Sequence, residues 1–200
     1  MITDPTVLIL GAGASCPFDF PSGKTLFDQI TKGLASPDTA VLGKTLIACG
    51  FEPIELRQFS KCLSQSGLSS VDQFLERQGE RWISLGKHAI AASLLPFEKI
   101  DLLFRDTPEK PNWLKVLFQG MNSTIDSFGQ NRLTIITYNY DRSIEMFLFT
   151  ALKNIFDIPD AVAEKAVGEI KTIHLHGQLT PLFGPPGQVV GYGDELSFMK

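Results

Sequence analysis

Cysteine is scarce in this sequence, and its three copies form no recognisable pairing. Cys16, Cys49 and Cys62 are odd in number and include no Cys-x-x-Cys pair. A disulfide-stabilised fold needs an even set of cysteines, and a zinc ribbon needs two closely spaced pairs. Both classes are therefore excluded, and we expect no zinc or other metal site. Cys49 and Cys62 are predicted to be small residues of the core.

Long apolar runs, runs of one charge and a positively charged leader are absent as well. The longest apolar stretches, such as residues 146–152, fall far short of the ~18 residues that a membrane span requires. Residues 1–5 carry no positive segment typical of a signal peptide. Acidic and basic residues are mixed along the chain, with a net charge of -4, so no basic run can track a phosphate backbone. We expect a cytoplasmic protein that binds neither nucleic acid nor membranes.

The first motif is a short apolar run, residues 7–10, that ends in a turn with very small side chains. Two glycines separated by one residue let backbone N–H groups approach a bound anion, which favours a phosphate or dinucleotide site. A dinucleotide fingerprint would carry a third glycine where Cys16 stands, so a strand-to-helix turn without ligand remains the alternative. The candidate residues are Gly11, Ala12, Gly13, Ala14 and Ser15.

The loop at residues 16–22 separates this turn from a predicted helix at residues 24–34. Phe18 and Phe20 lie in the loop and are candidates either for a lid over a ligand or for a plug in the core.

Helical periodicity dominates the next region, residues 36–129. Its clearest helix is predicted over residues 114–128 and ends at Gly129, and Pro96 is expected to kink or break an earlier helical stretch at about residues 80–104. His88, alone on such a helix, is interpreted as a solvated or core histidine. We predict a mostly helical insertion between the first strand-helix unit and the later strands, with the core formed by residues 1–35 and 130–200.

Two further strands are predicted, at residues 132–137 and 169–175, with a helix over residues 144–155 between them. Strand, helix and strand of this length form a crossover unit, so the strands should be parallel. Parallel strands end at one edge of a sheet, where open α/β folds bind ligands. The polar residues that follow each strand should therefore meet there. We predict an α/β fold with a parallel sheet flanked by helices.

Four polar residues at this edge are candidates for chemistry. The Asn139 amide can orient a ribose hydroxyl or a water, or it can form a local turn at the start of the helix. Asp141 can cap the helix and still face a ligand. His176, beside Gly177, is the candidate general base, whereas His174 is expected to be buried or to support the site from behind.

Three motifs, in this order, resemble the sirtuin-like family. They are the Gly-Ala-Gly-Ala-Ser turn at residues 11–15 with a following Pro-Ser-Gly loop, Thr-Tyr-Asn-Tyr-Asp at 137–141, and His-Gly at 176–177. The segment Val-Asp-Gln-Phe-Leu at 71–75 resembles the bacterial branch of the family. The resemblance extends over residues 7–193 and predicts that residues 1–200 form a single sirtuin-like domain.

The resemblance implies a Rossmann-like fold that binds NAD. It implies that Asn139, Asp141 and His176 surround the nicotinamide ribose, where the nicotinamide bond breaks through an oxocarbenium-like state. The catalytic set is then Asn139, His176 and Asp141. The NAD-binding set is Gly11, Ala12, Gly13, Ala14, Ser15, Thr137, Asn139, Asp141, His176 and Gly177.

Two departures from the family pattern change the expected substrate. Protein deacylases of the family carry two Cys-x-x-Cys pairs after the histidine and an arginine in the loop after the turn, and this sequence has neither. We therefore expect an NAD glycohydrolase with water as acceptor, similar to effectors of bacterial anti-phage defence. The alternatives are a module that senses NAD or ADP-ribose without catalysis and, less favoured, an NAD-dependent deacylase. The anti-phage effectors usually oligomerise or join a sensing domain, so the resemblance implies a homo-oligomer or a sensor partner.

Three strands, with a fourth predicted near residues 189–192, are fewer than the five or six usual in a doubly wound sheet. We therefore expect either a chain truncated at its C-terminus or strands that the sequence pattern does not reveal.

Overall fold

The computed structural model describes residues 1–184 and 189–193, where three strands and nine α-helices are found. In chain order they are β1 (Thr6–Leu10), α1 (Gly23–Ala35), α2 (Val41–Ala48), α3 (Pro53–Ser64), α4 (Val71–Leu75), α5 (Glu80–Leu94), α6 (Ile100–Leu103), α7 (Trp113–Gly120), β2 (Leu133–Thr137), α8 (Ser143–Phe156), α9 (Asp160–Gly168) and β3 (Lys171–His174).

The chain divides into two compact units. The first comprises Met1–Phe20 and Glu98–Gly193, and the second comprises Pro21–Phe97. This division differs from the boundaries expected at residues 35 and 129, because α1 groups with the helical unit and residues 98–129 group with the sheet.

The first unit contains a three-stranded sheet in the order β1–β2–β3, and both pairs are parallel, as predicted. On one face, alternate residues of β2 are buried, among them Leu133 and Ile135. On the opposite face of β1, Val7 and Ile9 are 56% and 69% exposed. The described residues therefore form a mixed α/β fold with a small parallel sheet flanked by helices.

Helix α8 follows β2 directly and shows why local spacing predicted it. Ile144, Phe147, Leu148 and Leu152 recur at helical spacing and are all buried. The predicted crossover from β2 through α8 to β3 is confirmed, and a further helix, α9, lies between α8 and β3. Strand β3 is shorter than predicted, because it ends at His174.

The second unit is helical, as its periodicity predicted. Helix α1 buries Leu26, Ile30 and Leu34, three positions that share one face. Ser70 accepts a hydrogen bond from the Asp72 backbone N–H and caps α4. Helix α5 ends at Leu94, so the predicted break before Pro96 is confirmed.

The prediction of one helix over residues 114–128 is wrong. Helix α7 ends at Gly120, and a separate 3-10 helix spans Ile125–Gln130. Thr124 and Ser127 form a capping box that starts this second element, which explains the interruption. Gly129 does not end a helix. A Cβ atom there would lie 2.8 Å from Cβ of Glu169, so the close approach of that residue requires glycine.

Other expectations also need correction. Residues 189–192 are described and form no strand, and residues 185–188 and 194–200 of the predicted domain lie outside the described residues. Cys62 is exposed rather than in the core, because α3 buries its opposite face, including Phe59 and Leu63.

Phe18 and Phe20 are 1% and 5% exposed, which supports core residues over a lid. Within the described residues, no helix has the length and apolar character of a membrane span.

Candidate functional site

The three motifs start at the same edge of the sheet. Leu10, Thr137 and His174 are aligned by strand register, so the glycine turn, the Asn139 segment and the His176 segment leave neighbouring strand ends. The hydrogen bonds between β1 and β2 continue one residue beyond the end of β2, because the Tyr138 backbone N–H donates to the Leu10 carbonyl at 2.9 Å. The structure thus brings the three motifs together.

The Asn139 amide joins the second motif to the first. Its Nδ2 donates to the Gly11 carbonyl and to Ser15 Oγ, each at 2.9 Å. Because a carbonyl oxygen only accepts, the contact with Gly11 fixes which end of the amide is the nitrogen. The amide oxygen Oδ1 of Asn139 is left without a hydrogen-bond partner among the described residues.

The alternative of a turn formed by the Asn139 side chain is not observed. The local turn is made by Thr137, whose Oγ1 accepts from the Asn139 backbone N–H at 3.0 Å. The buried side chain of Thr137 therefore supports the segment rather than facing the open edge.

Asp141 is buried, and both its carboxylate oxygens accept hydrogen bonds from the protein. Oδ2 accepts from Ser15 Oγ at 2.6 Å, and Oδ1 accepts from Ser143 N, at the start of α8, at 3.2 Å. Burial raises the pKa of Asp141, and these hydrogen bonds only partly oppose that effect. Asp141 therefore stabilises the first turn of α8 and holds Ser15 in place.

The glycine turn is a short 3-10 helix, Ala12–Ala14, at the open edge. A Cβ atom at Gly11 or Gly13 would meet no atom within 4 Å, and neither residue has a positive φ. Backbone strain and protein contacts therefore do not require glycine at these positions. Among the described residues, the N–H groups of Ala12 and Gly13 have no hydrogen-bond acceptor.

The segment after the turn is fixed by two residues that the sequence did not single out. Trp113 Nε1 donates to the Ala14 carbonyl at 2.7 Å. Arg105 donates to the Pro17 carbonyl and pairs with Asp19, each at 3.0 Å. Hydrogen bonds from Arg105 and from a neighbouring lysine lower the pKa of Asp19. These contacts hold the loop that carries Phe18.

The two histidines diverge because β3 ends between them. His176 is exposed, and its ring lies 5.6 Å from the Tyr138 ring and 6.2 Å from the Tyr140 ring. Gly177 has a φ of +83°, a conformation that favours glycine, and its N–H donates to the His174 carbonyl. This tight turn places His176 at the open edge.

His174 is mostly buried, as expected, and contacts the site from behind. Its Nδ1 lies 2.8 Å from the Asn139 carbonyl oxygen, and its Nε2 lies 2.9 Å from Glu145 Oε1. Glu145, the third residue of α8, was not predicted as a site residue from the sequence.

A buried ion pair stands at the start of α8, where the sequence predicted only a helix cap. Arg142 donates to both carboxylate oxygens of Glu98, and neither side chain has any exposed surface. Arg142 also donates to Thr180 Oγ1 at 2.9 Å and to the Val190 carbonyl at 2.5 Å. It thus ties the chain after His176 to the start of α8.

Comparisons of this chain with protein-family models, with curated proteins and with solved structures give no match. Among the described residues, no group of three or more His, Cys, Asp or Glu side chains is arranged to hold a metal ion.

Proposed function

We propose that this chain is a sirtuin-like NAD hydrolase with a Rossmann-like fold, which cleaves the bond between nicotinamide and ribose with water as acceptor. The observation that carries the proposal is the contact of Asn139 with Gly11 and Ser15. It joins two of the three motifs at the sheet edge where the third presents His176. Open parallel sheets bind nucleotides at such an edge.

The glycine turn supports a place for the pyrophosphate of NAD. The unpaired N–H groups of Ala12 and Gly13 can donate to phosphate oxygens. The open space at Gly11 and Gly13 allows a ligand to approach the backbone, and a methyl group at either position would occupy that space. Glycine is thus explained by a ligand where the protein itself does not require it.

Asn139 and His176 carry the chemistry in this proposal. The Asn139 amide nitrogen is engaged, so its oxygen Oδ1 accepts a hydrogen bond from a ribose hydroxyl or from the attacking water. Nicotinamide leaves with the electron pair of the glycosidic bond, and the water oxygen bonds to the ribose carbon. The water proton passes to His176, whose imidazole is exposed at the open edge.

Asp141 and Ser15 act as positioning residues. The chain of hydrogen bonds from Asn139 through Ser15 to Asp141 fixes the Asn139 amide relative to the turn. Since both oxygens of Asp141 are engaged, its carboxylate does not contact the ribose directly in this proposal.

A second candidate function is a module that binds NAD or ADP-ribose without cleaving it. The engagement of both Asp141 oxygens favours it, because the two donors offset part of the negative charge that would stabilise a developing positive charge. Binding without turnover distinguishes this candidate from the hydrolase.

The deciding experiment measures nicotinamide release from NAD by the purified protein over a range of protein concentrations. The hydrolase predicts release that falls about 10²–10⁴-fold in His176→Ala. Asn139→Ala should also lose release, whereas His88→Ala, which alters a half-buried histidine of the second unit, should retain it. A rise in specific activity with concentration would identify a homo-oligomer, as proposed for an anti-phage effector.

The variant Gly13→Ala tests whether the glycine turn binds the pyrophosphate of NAD or binds no ligand. The added methyl group meets no protein atom, so the free energy of unfolding should stay equal or rise by about 0.4–1 kcal/mol. NAD affinity, measured by calorimetry, should nevertheless fall. Equal NAD affinity in wild type and Gly13→Ala would argue against a pyrophosphate site at the glycine turn. Absence of nicotinamide release at every protein concentration would refute the proposed hydrolase activity.

A further inference from the structure

The contacts of His174 have not been used in the proposed chemistry, although they reach Asn139 directly. Its two ring nitrogens face two oxygen atoms from different elements. Nδ1 lies 2.8 Å from the backbone carbonyl oxygen of Asn139, and Nε2 lies 2.9 Å from Glu145 Oε1 on α8. A carbonyl oxygen and a carboxylate oxygen both accept, so the ring must donate from both nitrogens to satisfy both.

A doubly donating imidazole is the cationic form, and its surroundings supply the matching charge. The side chains of His174 and Glu145 are 8% and 15% exposed, so the pair is largely removed from water. The second carboxylate oxygen of Glu145, Oε2, is buried with no hydrogen-bond partner among the described residues. His174 is therefore the one described donor to Glu145, and a neutral ring would leave that carboxylate without a cation beside it.

We propose that His174 is a positioning residue for Asn139, and that its imidazolium links the Glu145 carboxylate to the Asn139 carbonyl. The side chain of Asn139 is fixed on the other side by Gly11 and Ser15. The backbone and the amide of Asn139 are thus held from opposite directions. The catalytic consequence of this arrangement rests on the proposed function, whereas the protonation state of His174 does not.

The charged groups around His174 favour this form. Burial lowers the pKa of His174, but the hydrogen bond and charge of Glu145, the Asn139 carbonyl and the charge of Asp141 raise it further, and the net pKa lies above its ordinary value of 6.5. Lys171, whose positive charge opposes this form, lines a cavity of about 440 Å³ beside β3 together with Glu145.

A change of pH should therefore act on Asn139. The stabilisation from the cationic ring is fully present below the ordinary value of 6.5 and is lost as the pH rises through the higher pKa of His174 in the folded state. Above that point one nitrogen of His174 becomes an acceptor and faces another acceptor. One of the two contacts then breaks, and the Asn139 segment loses a fixed point.

The test begins with wild-type protein, without ligand or substitution. The chain has three histidines, so His88→Gln, His174→Gln and His176→Gln assign the three imidazole signals in a long-range ¹H–¹⁵N spectrum. We expect His174 to keep protons on both nitrogens at pH values where an ordinary imidazole already loses one, with a titration midpoint above 6.5. The backbone amide of Tyr140, which shares its peptide group with the Asn139 carbonyl, should shift with the same midpoint.

Glu145→Gln removes the charge and keeps the size of the side chain. The His174 midpoint should fall by about one to three pH units, and the Tyr140 amide should follow it. In His174→Gln the Tyr140 transition should disappear, because a glutamine side chain neither gains nor loses a proton in this pH range. A His174 ring with one proton across the whole range, a midpoint unchanged in Glu145→Gln, or a Tyr140 amide that ignores the titration would overturn the proposal.

The activity arm separates this inference from the proposed function. In wild type, kcat for nicotinamide release should fall above the His174 midpoint while KM changes less, and Glu145→Gln should move this fall to lower pH. If nicotinamide is released with a pH profile that Glu145→Gln does not change, the positioning role of His174 is refuted and the proposed hydrolase activity still holds. Absence of nicotinamide release would refute the hydrolase activity, and the spectra would still determine the protonation state of His174.

Discussion

Replacing Arg142 by methionine tests whether the buried ion pair organises the first unit. Methionine preserves most of the length of the side chain but removes every donor. Glu98, whose side chain is fully buried, then loses its only described counter-charge. The carbonyls of Val190 and Gly191 lose a donor as well.

The expected loss follows from the burial of both partners. Breaking a buried pair by removing one member costs about 3–5 kcal/mol, because the other charge stays buried without compensation. An exposed pair would cost about 0–1 kcal/mol. Since a domain is stable by about 5–15 kcal/mol, Arg142→Met should remove a large share of the free energy of unfolding. The double variant Arg142→Met/Glu98→Gln removes both charges and should recover about 0.5–3 kcal/mol.

The loss should depend on pH in a defined direction. Burial raises the pKa of Glu98, and the hydrogen bonds and charge of Arg142 only partly oppose this. A raised pKa in the folded state means that stability is lost as the pH rises through that pKa. Without Arg142 the pKa of Glu98 rises further, so Arg142→Met should be less destabilising at about pH 5 than at about pH 8.

Urea unfolding followed by circular dichroism measures these differences, provided that the slope with denaturant stays constant. A loss below about 1 kcal/mol at about pH 8 would show that the pair behaves like an exposed one. Equal losses at both pH values, or no recovery in the double variant, would also refute the reasoning.

Three further substitutions test individual contacts. Gly177→Ala should lower the free energy of unfolding by about 1–2 kcal/mol, because alanine is strained at a φ of +83°. Ser15→Ala should cost about 1–3 kcal/mol, because it leaves the buried Asp141 carboxylate without its hydroxyl donor. Gly43→Ala should destabilise the second unit by about 1–3 kcal/mol, because the new Cβ would lie 2.7 Å from the Pro37 carbonyl carbon. Urea unfolding measures each value.

Matched controls come from glycines with free space and ordinary backbone angles. Gly168→Ala and Gly23→Ala would place a methyl group where no atom lies within 4 Å, so neither should be destabilised. If Gly177→Ala and Gly43→Ala were as stable as these controls, the strain and the overlap assigned to them would be wrong. An Asp141→Ala/Ser15→Ala double variant whose cost is the sum of the singles would remove the coupling between those two side chains.

Much of the fold was accessible from residue spacing. The apolar positions of α8 and the break before Pro96 depend on neighbours within about one helical turn, and both were predicted. The predicted helix over residues 114–128 failed because an apolar pattern continues across the capping box of Thr124, where the helical hydrogen bonds stop. Cys62 was misplaced because a single residue type does not report which face of α3 is buried.

The candidate site was likewise only partly predictable from the sequence. The position of the glycine turn and of the polar residues after each strand is a local property, and parallel strands then place them at one edge. The role of Asp141 was open in the sequence, because a carboxylate before a helix can cap it or face a ligand. The hydrogen bond that Asp141 accepts from Ser15 was not predictable from local spacing, since that partner lies 126 positions away.

The sequence by itself determined where the first two strands end, which small residues follow the first of them, and which polar residues follow the others. These depend on side-chain size and on spacing along the chain. Only the tertiary structure paired His174 with Glu145, Arg142 with Glu98 and Asn139 with Gly11, which are 29, 44 and 128 positions apart. Such contacts depend on the path of the whole chain, and no local pattern encodes them.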